Sequence, residues 1–512
     1  MRAAWFMLGL TLGTVLAVRV GGPSDLYDND QPKTVAYTAD IVLHDRWVLP
    51  RDHMPSKDDV HDGRPATKPP MYNWIGAAAV GLTGRGDEWV LKLPSMLGGM
   101  VTLGVCSGMG VYLIRRRDDG PLPGDVIAGD CKAAMATVAP ACWLSCYATM
   151  KLIYTARPDM VLTGFMIGAW AAGTVAMDRW TKATAGGGPE SGGKRRGTFI
   201  ASVVFWLCVA GAALTKGIPA LLPLVYVAVS AKLVHGRWRA VNAVQWWGGV
   251  PVAVLLVGGW LWAAYRVEPG HFMDVFVMRE VVDRAGEGGM GQWFGTLWRL
   301  PAWFMARFAP WSVLVVLMLL HVGRHVRAQR WFRHRLGPGG LWVLLVIGFM
   351  SLSSGKRADY LAPAYPAAAT LAGYWLIVVA AKHGMNAFRA TLLAMLVATG
   401  LGVYQMRGSS AAKSGLGTAV VRFAKEVRRE VGGESVVFER TGYNPLQTLL
   451  GRMQPGEPTA EMVAGARWLI APSDTAVGDE AEPVLESRLI SEVLGGEAGR
   501  LTLYRLGGRE DP

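Results

Sequence analysis

VVFWLCVAGAALTKGIPALLPLVYVAVSA, residues 203–231, sets two apolar runs on either side of a short turn, and Lys216 is its one charged residue. Each run approaches the ~20 residues needed to cross a hydrocarbon core. Gly217 and Pro219 supply the turn and the start of the next helix. The stretch therefore reads as two membrane-spanning helices, 199–215 and 217–233, joined at one face of a bilayer.

The same signature recurs along the chain, in segments 3–20, 89–114, 132–150, 160–177, 245–265, 309–322, 339–352, 360–381 and 389–405. Composition agrees: 51% of the 512 residues are hydrophobic and only 18% charged, where a water-soluble chain of this length carries more charge. The expected fold is a multi-pass α-helical membrane protein with about 11–13 transmembrane helices. Only Arg2 precedes the first run, as in a signal peptide, but no small-x-small pattern precedes the acidic stretch after Val20, so a retained first helix is expected. Cys106, Cys131, Cys142, Cys146 and Cys208 all lie in or beside apolar segments, which fits packing between helices and neither a disulfide framework nor a zinc knuckle.

Loop charge orients the helices. With the N-terminus inside, loops 115–131, 178–198, 234–244 and 323–338, with Lys232 at an edge, hold 16 Lys and Arg, whereas loop 21–71 holds nine acids and six bases. Lys and Arg in short loops mark the cytoplasmic side. Most of the net charge of +13 is then topology, and a nucleic-acid face is excluded. The first loop, 21–88, and everything after about residue 405 fall outside. Residues 406–512 change character: an amphipathic helical stretch, GTAVVRFAKEVRREV, is followed by the strand-like runs ESVVFE, RWLIAP and LTLYRL and a helical NPLQTLLGRM. That alternation predicts a small external α/β domain following a transmembrane domain, 1–405. The Gly-rich AGGGPESGGKRRG, 185–197, reads as a linker, since no strand leads into it and no GK[ST] follows.

The polar residues that sit near lipid gather at external helix ends. In DNDQPKTVAYTADI, Asp30 precedes Pro32 at the start of a helix expected along the membrane surface. It is either that helix's N-cap or a carboxylate able to take a proton from a hydroxyl. Lys68 in TKPPMYNW stands ahead of a Pro pair that starts a helix; it is either an interfacial anchor or a cation placed where dipole and ammonium both favour an anion. Arg157 and Asp159 in YTARPDMVLTG form either a surface pair of little worth or a functional pair at the lipid boundary. Lys216, Lys356 and Arg357 repeat the pattern at two further helix ends. Cations around a carboxylate suit a phosphate that must be bound and stabilised as it leaves.

The order of DNDQPKTVAYTADI, TKPPMYNW, GRGDEWVLKLPS, YTARPDMVLTG, LTKG, VMREVVDR, APWS and SLSSGKRADYLAPAYP resembles the membrane glycosyltransferases of the GT-C class. Within it, the chain is similar to the family uniting protein O-mannosyltransferases with lipid A aminoarabinose transferases, over about residues 5–380. The resemblance implies a sugar donor on a polyprenyl phosphate, an acceptor hydroxyl on a lipid, protein or glycan, and transfer with inversion on the outer face of the cytoplasmic membrane. It implies that Asp30 is the first-loop catalytic carboxylate, Asp159 the second functional one, and Lys68 the donor-phosphate lysine. Lys216, Lys356 and Arg357 would line the donor cavity, and Arg157 joins them as a donor-binding candidate by its place at the lipid boundary. The chain departs from the family at Gln31, where the usual residue is Glu, and at Thr67, where an acid often stands that can hold a metal. A divalent metal is therefore an open expectation, with His53 and His61 among Asp52, Asp58, Asp59 and Asp62 as a substitute site or simply a solvated acidic loop.

Two other classes compete. A transporter or flippase of a lipid-linked sugar would favour charges near mid-bilayer on broken helices. A non-catalytic sensor leaves one-sided cations unexplained.

Overall fold

The protein is described by a computed structural model that covers residues 2–20, 24–26, 30–52, 64–116, 130–185, 191–274, 295–325, 332–353, 355–383, 390, 393–404, 414–432, 434–439, 445–450, 454, 458–473, 475–478, 481–487 and 500–507. It is a helical, multi-pass membrane architecture with a small sheet near its C-terminus. Two compact units contain Met1–Arg19, Ser95–Ile153 and Pro158–Met406 in one, and Val20–Pro94, Tyr154–Arg157 and Arg407–Pro512 in the other.

The first unit is built from α1 (Arg2–Arg19) and, beyond a break filled by the second unit's α2 (Gln31–His44) and α3 (Met71–Thr83), most of α4 (Glu88–Arg115), α5 (Asp130–Leu144), α6 (Tyr147–Leu152), α7 (Asp159–Ala185), α8 (Ser191–Lys216), α9 (Leu222–Leu233), α10 (Trp246–Val267), α11 (Arg299–Arg307), α12 (Trp311–His325), α13 (Gly337–Ser351), α14 (Tyr365–His383) and α15 (Leu393–Tyr404). Among the described residues α4, α7, α8 and α10 are each long and apolar enough to span a membrane, and five shorter apolar helices accompany them. α11 and α12 meet at a 116° bend, so residues expected in an external loop instead form half of a broken apolar pair. The expected helix 132–150 also breaks: Cys146 is extended, with φ −82° and ψ 146°, between α5 and α6. α8 begins within the stretch read as linker. Between α8 and α9, Gly217 takes φ +69°, a conformation that only glycine adopts without strain.

Aromatic residues fill this core, and their polar edges are satisfied. Trp143, Trp170, Trp311 and Trp342 are fully buried. Trp170 Nε1 donates to Pro338 O at 3.2 Å, Trp342 Nε1 to Pro363 O at 2.8 Å, and Trp311 Nε1 to Ser145 Oγ at 2.8 Å. α4 and α7 approach through glycines: a Cβ on Gly98 would lie 2.5 Å from Met160 O, and one on Gly164 would lie 3.1 Å from Gly98 O. That contact seats the first turn of α7.

At the end carrying the basic loops, buried Asp178 of α7 gathers several elements. Tyr112 Oη donates to it at 2.9 Å and Arg116 Nε at 3.1 Å, while Arg116 Nη1 donates to His334 O at 3.0 Å. His235 Nδ1 lies 3.7 Å from the same carboxylate. Burial nevertheless holds the His235 ring to a pKa of about 4; the Asp178 charge opposes this and Arg116 assists.

In the second unit, α2 packs against α3. Asn73 Nδ2 in the first turn of α3 donates to Thr34 O at 2.7 Å and to Thr38 Oγ1 at 3.0 Å, and one turn further on Gly76 faces Thr38. α2 is enclosed on nearly every side, unlike the half-exposed surface helix its sequence suggests. Enclosure is tolerated because its polar groups find partners: Asp40 accepts Arg51 N at 2.7 Å, and Thr34 and Thr38 bind Asn73.

The C-terminal part of this unit has its own core. α16 (Ser414–Val431) buries Val420, Phe423, Ala424, Val427 and Val431 on one stripe. That stripe packs with a four-stranded sheet of β1 (Val436–Phe438), β2 (Trp468–Pro472), β3 (Ala481–Glu486) and β4 (Leu501–Leu506), in order β1-β2-β4-β3. β1 and β2 are parallel, and the other pairs are antiparallel. Two short helices, α17 (Pro445–Leu449) and α18 (Ala460–Ala464), complete the domain. The outer edge of β1 is closed by a side chain: Gln454 Oε1 accepts from Phe438 N at 2.7 Å, and Gln454 Nε2 donates to Phe438 O at 2.5 Å. β3 sits at the other edge, and neither its proline nor its acids follow a strand pattern, so the sequence did not announce it.

Candidate active site

The seven residues singled out by sequence fall into two groups, one in each unit. In the second unit, Asp30 directly precedes α2 and Lys68 precedes the Pro69-Pro70 pair that leads into α3. Asp30 and Lys68 thus each stand ahead of a helix N-terminus, the positive end of its dipole, and the two helices touch where Asn73 meets Thr34 and Thr38. Asp30 caps α2 with its backbone: its carbonyl accepts Thr34 N at 3.1 Å and Thr34 Oγ1 at 2.9 Å, and its carboxylate makes no side-chain cap. Tyr37, one turn into α2, has its ring 5.8 Å from the Lys33 ammonium. Burial, and after it the Asp52 carboxylate, pushes the Tyr37 phenol above its usual range, with Asp30 adding to the shift. The Thr67 backbone pulls the other way without reaching hydrogen-bond geometry with the buried hydroxyl.

Arg157 is buried in the same unit, in the segment Tyr154–Arg157. That segment is held by Gln31, whose Oε1 accepts Ala156 N at 2.8 Å, and by Tyr72, whose hydroxyl donates to Leu91 O at 2.9 Å and Thr155 O at 3.3 Å.

In the first unit, Asp159 opens α7 and Lys216 closes α8, and the structure joins them: Lys216 Nζ donates to Asp159 Oδ1 at 2.6 Å. The same ammonium lies 4.9 Å from the centre of the Tyr360 ring. Lys356 donates to Thr296 Oγ1 at 2.8 Å; burial, and then the neighbouring Arg299 charge, lowers its pKa below the usual lysine range. Arg357 is exposed, and its carbonyl accepts Tyr360 N at 3.1 Å.

Among the described residues no three His, Cys, Asp or Glu side chains gather as a metal site. His53, His61, Asp58, Asp59 and Asp62 lie outside the described residues, as does VMREVVDR. Asp52, at the edge of that loop, is engaged by Lys33 at 3.3 Å and by Arg64 N at 2.9 Å.

No family model matches the chain. Among solved structures it superposes on the ArnT of Cupriavidus metallidurans bound to undecaprenyl phosphate with a TM-score of 0.63, covering 99% of both chains at 17% identity. The apo form of that protein gives 0.60.

The chain has the GT-C fold.

The resemblance read from the sequence is thereby borne out at the level of architecture. Among curated relatives, an undecaprenyl phosphate-α-4-amino-4-deoxy-L-arabinose arabinosyl transferase of Pseudomonas aeruginosa is 30% identical over 193 residues, and one of Pseudomonas fluorescens is 30% identical over 202. These matches take in 36% and 38% of this chain and 32% and 35% of those relatives, so the chain spans about a third of their length in the matched region.

Within this GT-C framework several charged residues escaped the sequence reading. Asp359 is held by Arg307 at 2.5 Å and Lys151 at 3.3 Å, from three elements far apart in the chain. Lys92, in GRGDEWVLKLPS, is buried and bound by Asp25 and Glu88. A helical i, i+4 pair such as Glu88 and Lys92 is a visible signal, but it reads first as ordinary helix support. The Asp359 cluster leaves no local signal at all.

Proposed function

We propose that the protein is a glycosyltransferase that moves a sugar from a polyprenyl-phosphate donor to an acceptor hydroxyl, with inversion, at the periplasmic face of the inner membrane. The observation that carries the reading is the coincidence of the GT-C fold with a carboxylate, Asp30, and a lysine, Lys68, each ahead of the N-terminus of one of two touching helices, α2 and α3. A carboxylate that does not cap its own helix can serve in proton transfer. A positive helix end with a lysine beside it favours the donor phosphate.

In this scheme Asp30 takes the acceptor proton as the hydroxyl oxygen bonds to the anomeric carbon. The bond from that carbon to the phosphate oxygen breaks, and its electron pair leaves with the polyprenyl phosphate. In the second unit Lys68 and Arg157 supply positive charge for the phosphate; in the first, Asp159 fixes the Lys216 ammonium through their 2.6 Å contact. The lipid tail stays among the helices and the surrounding membrane lipids, with residues 1–405 as the transferase domain and 406–512 as the external domain. Charges at helix ends fit this better than they fit a transporter, which would place them on broken helices at mid-bilayer.

The test compares membrane lipids and surface glycans, by mass spectrometry, in cells carrying the parent protein, no protein, Asp30→Asn or Lys68→Ala. Asp30→Asn is expected to accumulate in the membrane yet lower transfer by about 10²–10⁴-fold, the usual worth of a general base. Full transfer by that variant would reduce Asp30 to a structural residue.

A further inference from the structure

Gln31 stands between Asp30 and Pro32, and its side chain is buried to 1% exposure. Both halves of its amide are committed. Nε2 donates to Asp25 O at 2.8 Å, and Oε1 accepts from Ala156 N at 2.8 Å. The orientation of the amide is dictated by its partners, since a backbone carbonyl only accepts and a backbone N–H only donates. A carboxylate at this position would serve Ala156 but would turn an unprotonated oxygen on the Asp25 carbonyl. Only an amide, or a carboxylic acid that keeps its proton, satisfies both groups.

One partner of Gln31, Asp25, is itself anchored to Lys92, and so is Tyr154, two residues before the other partner, Ala156. This buried ammonium binds the Asp25 carboxylate and, at 2.6 Å, Glu88, and it lies 4.5 Å from the centre of the Tyr154 ring. Asp25 and Tyr154 thus meet at Lys92, while Asp25 and Ala156 meet at Gln31, which closes a ring of contacts. Asp30 is the residue before Gln31, and Arg157 is the residue after Ala156. The ring therefore sets where the backbone presents both.

We infer that Gln31 is a positioning residue: its amide fixes Asp30 relative to Arg157, and the donor-plus-acceptor character of that amide is the property required. The inference rests on the reading of Asp30 as the proton acceptor, and it names a determinant of that same site.

The experiment measures kcat per folded enzyme for the parent, Gln31→Glu and Gln31→Met in nanodiscs, between about pH 5 and about pH 8. Buried against a carbonyl, a glutamate at 31 has its pKa raised above the ordinary ~4.3, so its protonated, amide-like form fills as pH falls. The ratio of Gln31→Glu to parent activity is expected to be lowest near pH 8, reduced by roughly tenfold to a hundredfold as for a misplacement of about 1 Å, and to climb toward acid pH. Gln31→Met, with no donor and only a weak thioether acceptor, is expected to stay low at every pH. A ratio for Gln31→Glu that does not change with pH, or parent-like turnover by Gln31→Met, overturns the inference. Asp30→Asn run in parallel separates the two readings: parent-like turnover there refutes Asp30 as base whatever the Gln31 variants do.

Discussion

Gly98→Ala puts the seating of α7 to a quantitative test. A methyl group on Gly98 would start 2.5 Å from Met160 O, and reaching the 3.4 Å of ordinary contact requires about 0.9 Å of movement. The obstacle is backbone, so no side chain can swing aside to absorb it. Met160 follows Asp159, and Asp159 holds Lys216 at 2.6 Å, so the first turn of α7 takes the displacement directly. Overpacking of this kind costs about 1–3 kcal/mol, and alanine's better helix propensity returns at most about 1 kcal/mol. The balance is a destabilised bundle with a loosened Lys216. Gly104, on the same helix, has nothing within 4 Å of where a methyl group would sit and serves as the internal control. The assay pairs thermal unfolding, followed by tryptophan fluorescence, with binding of the proposed polyprenyl-phosphate donor in nanodiscs. Gly98→Ala is expected to unfold several degrees lower and to bind the lipid about tenfold more weakly, a factor worth about 1.4 kcal/mol. Gly104→Ala should match or exceed the parent in both. Parent-like stability and binding in Gly98→Ala would refute the argument that a glycine contact governs the position of Asp159.

Two further outcomes follow from other clusters. Asp359→Asn leaves Lys151 and Arg307 with a neutral partner, and because both cations are partly exposed the expected loss is about 2 kcal/mol, below the ~3–5 kcal/mol of a fully buried pair; added salt should recover part of it by screening the two cations from each other, read as a rise in unfolding midpoint relative to the parent. His235 is held neutral to about 4 in the native protein but titrates near 6.5 when unfolded, so its contribution is complete above pH 6.5 and is lost as pH falls toward 4. The full effect is roughly 3 kcal/mol, and His235→Gln should flatten the pH dependence of the unfolding midpoint over that interval.

The helices were legible because long apolar runs admit few alternatives. The strands Val436–Phe438, Trp468–Pro472 and Leu501–Leu506 were equally plain, each a short β-branched or aromatic run between turns. β3 was not, because pairing with β4 rather than its own propensity makes it a strand. Nor was the α5–α6 break, which has no proline or glycine at Ser145 and Cys146 and is set by tertiary partners such as Trp311. At the candidate site, Asp159 and Lys216 were visible separately, and their pairing across 57 positions was not. Gln31 was visible only as a missing acid. Its two hydrogen bonds reach to Asp25 and to Ala156, and nothing in DNDQPK hints at the second.

The amide of Gln454 acts as a one-residue stand-in for a fifth strand, mirroring the donor and acceptor of Phe438 as a neighbouring chain would. The opposite border of the sheet offers Glu482, Pro483 and Glu486, a surface that repels its own copy and interrupts any ladder. Crowding in the plane of a bilayer brings copies of a membrane protein into constant collision. Among the described residues, Phe438 on one border and Pro483 on the other interrupt the row of amides along which two sheets could knit.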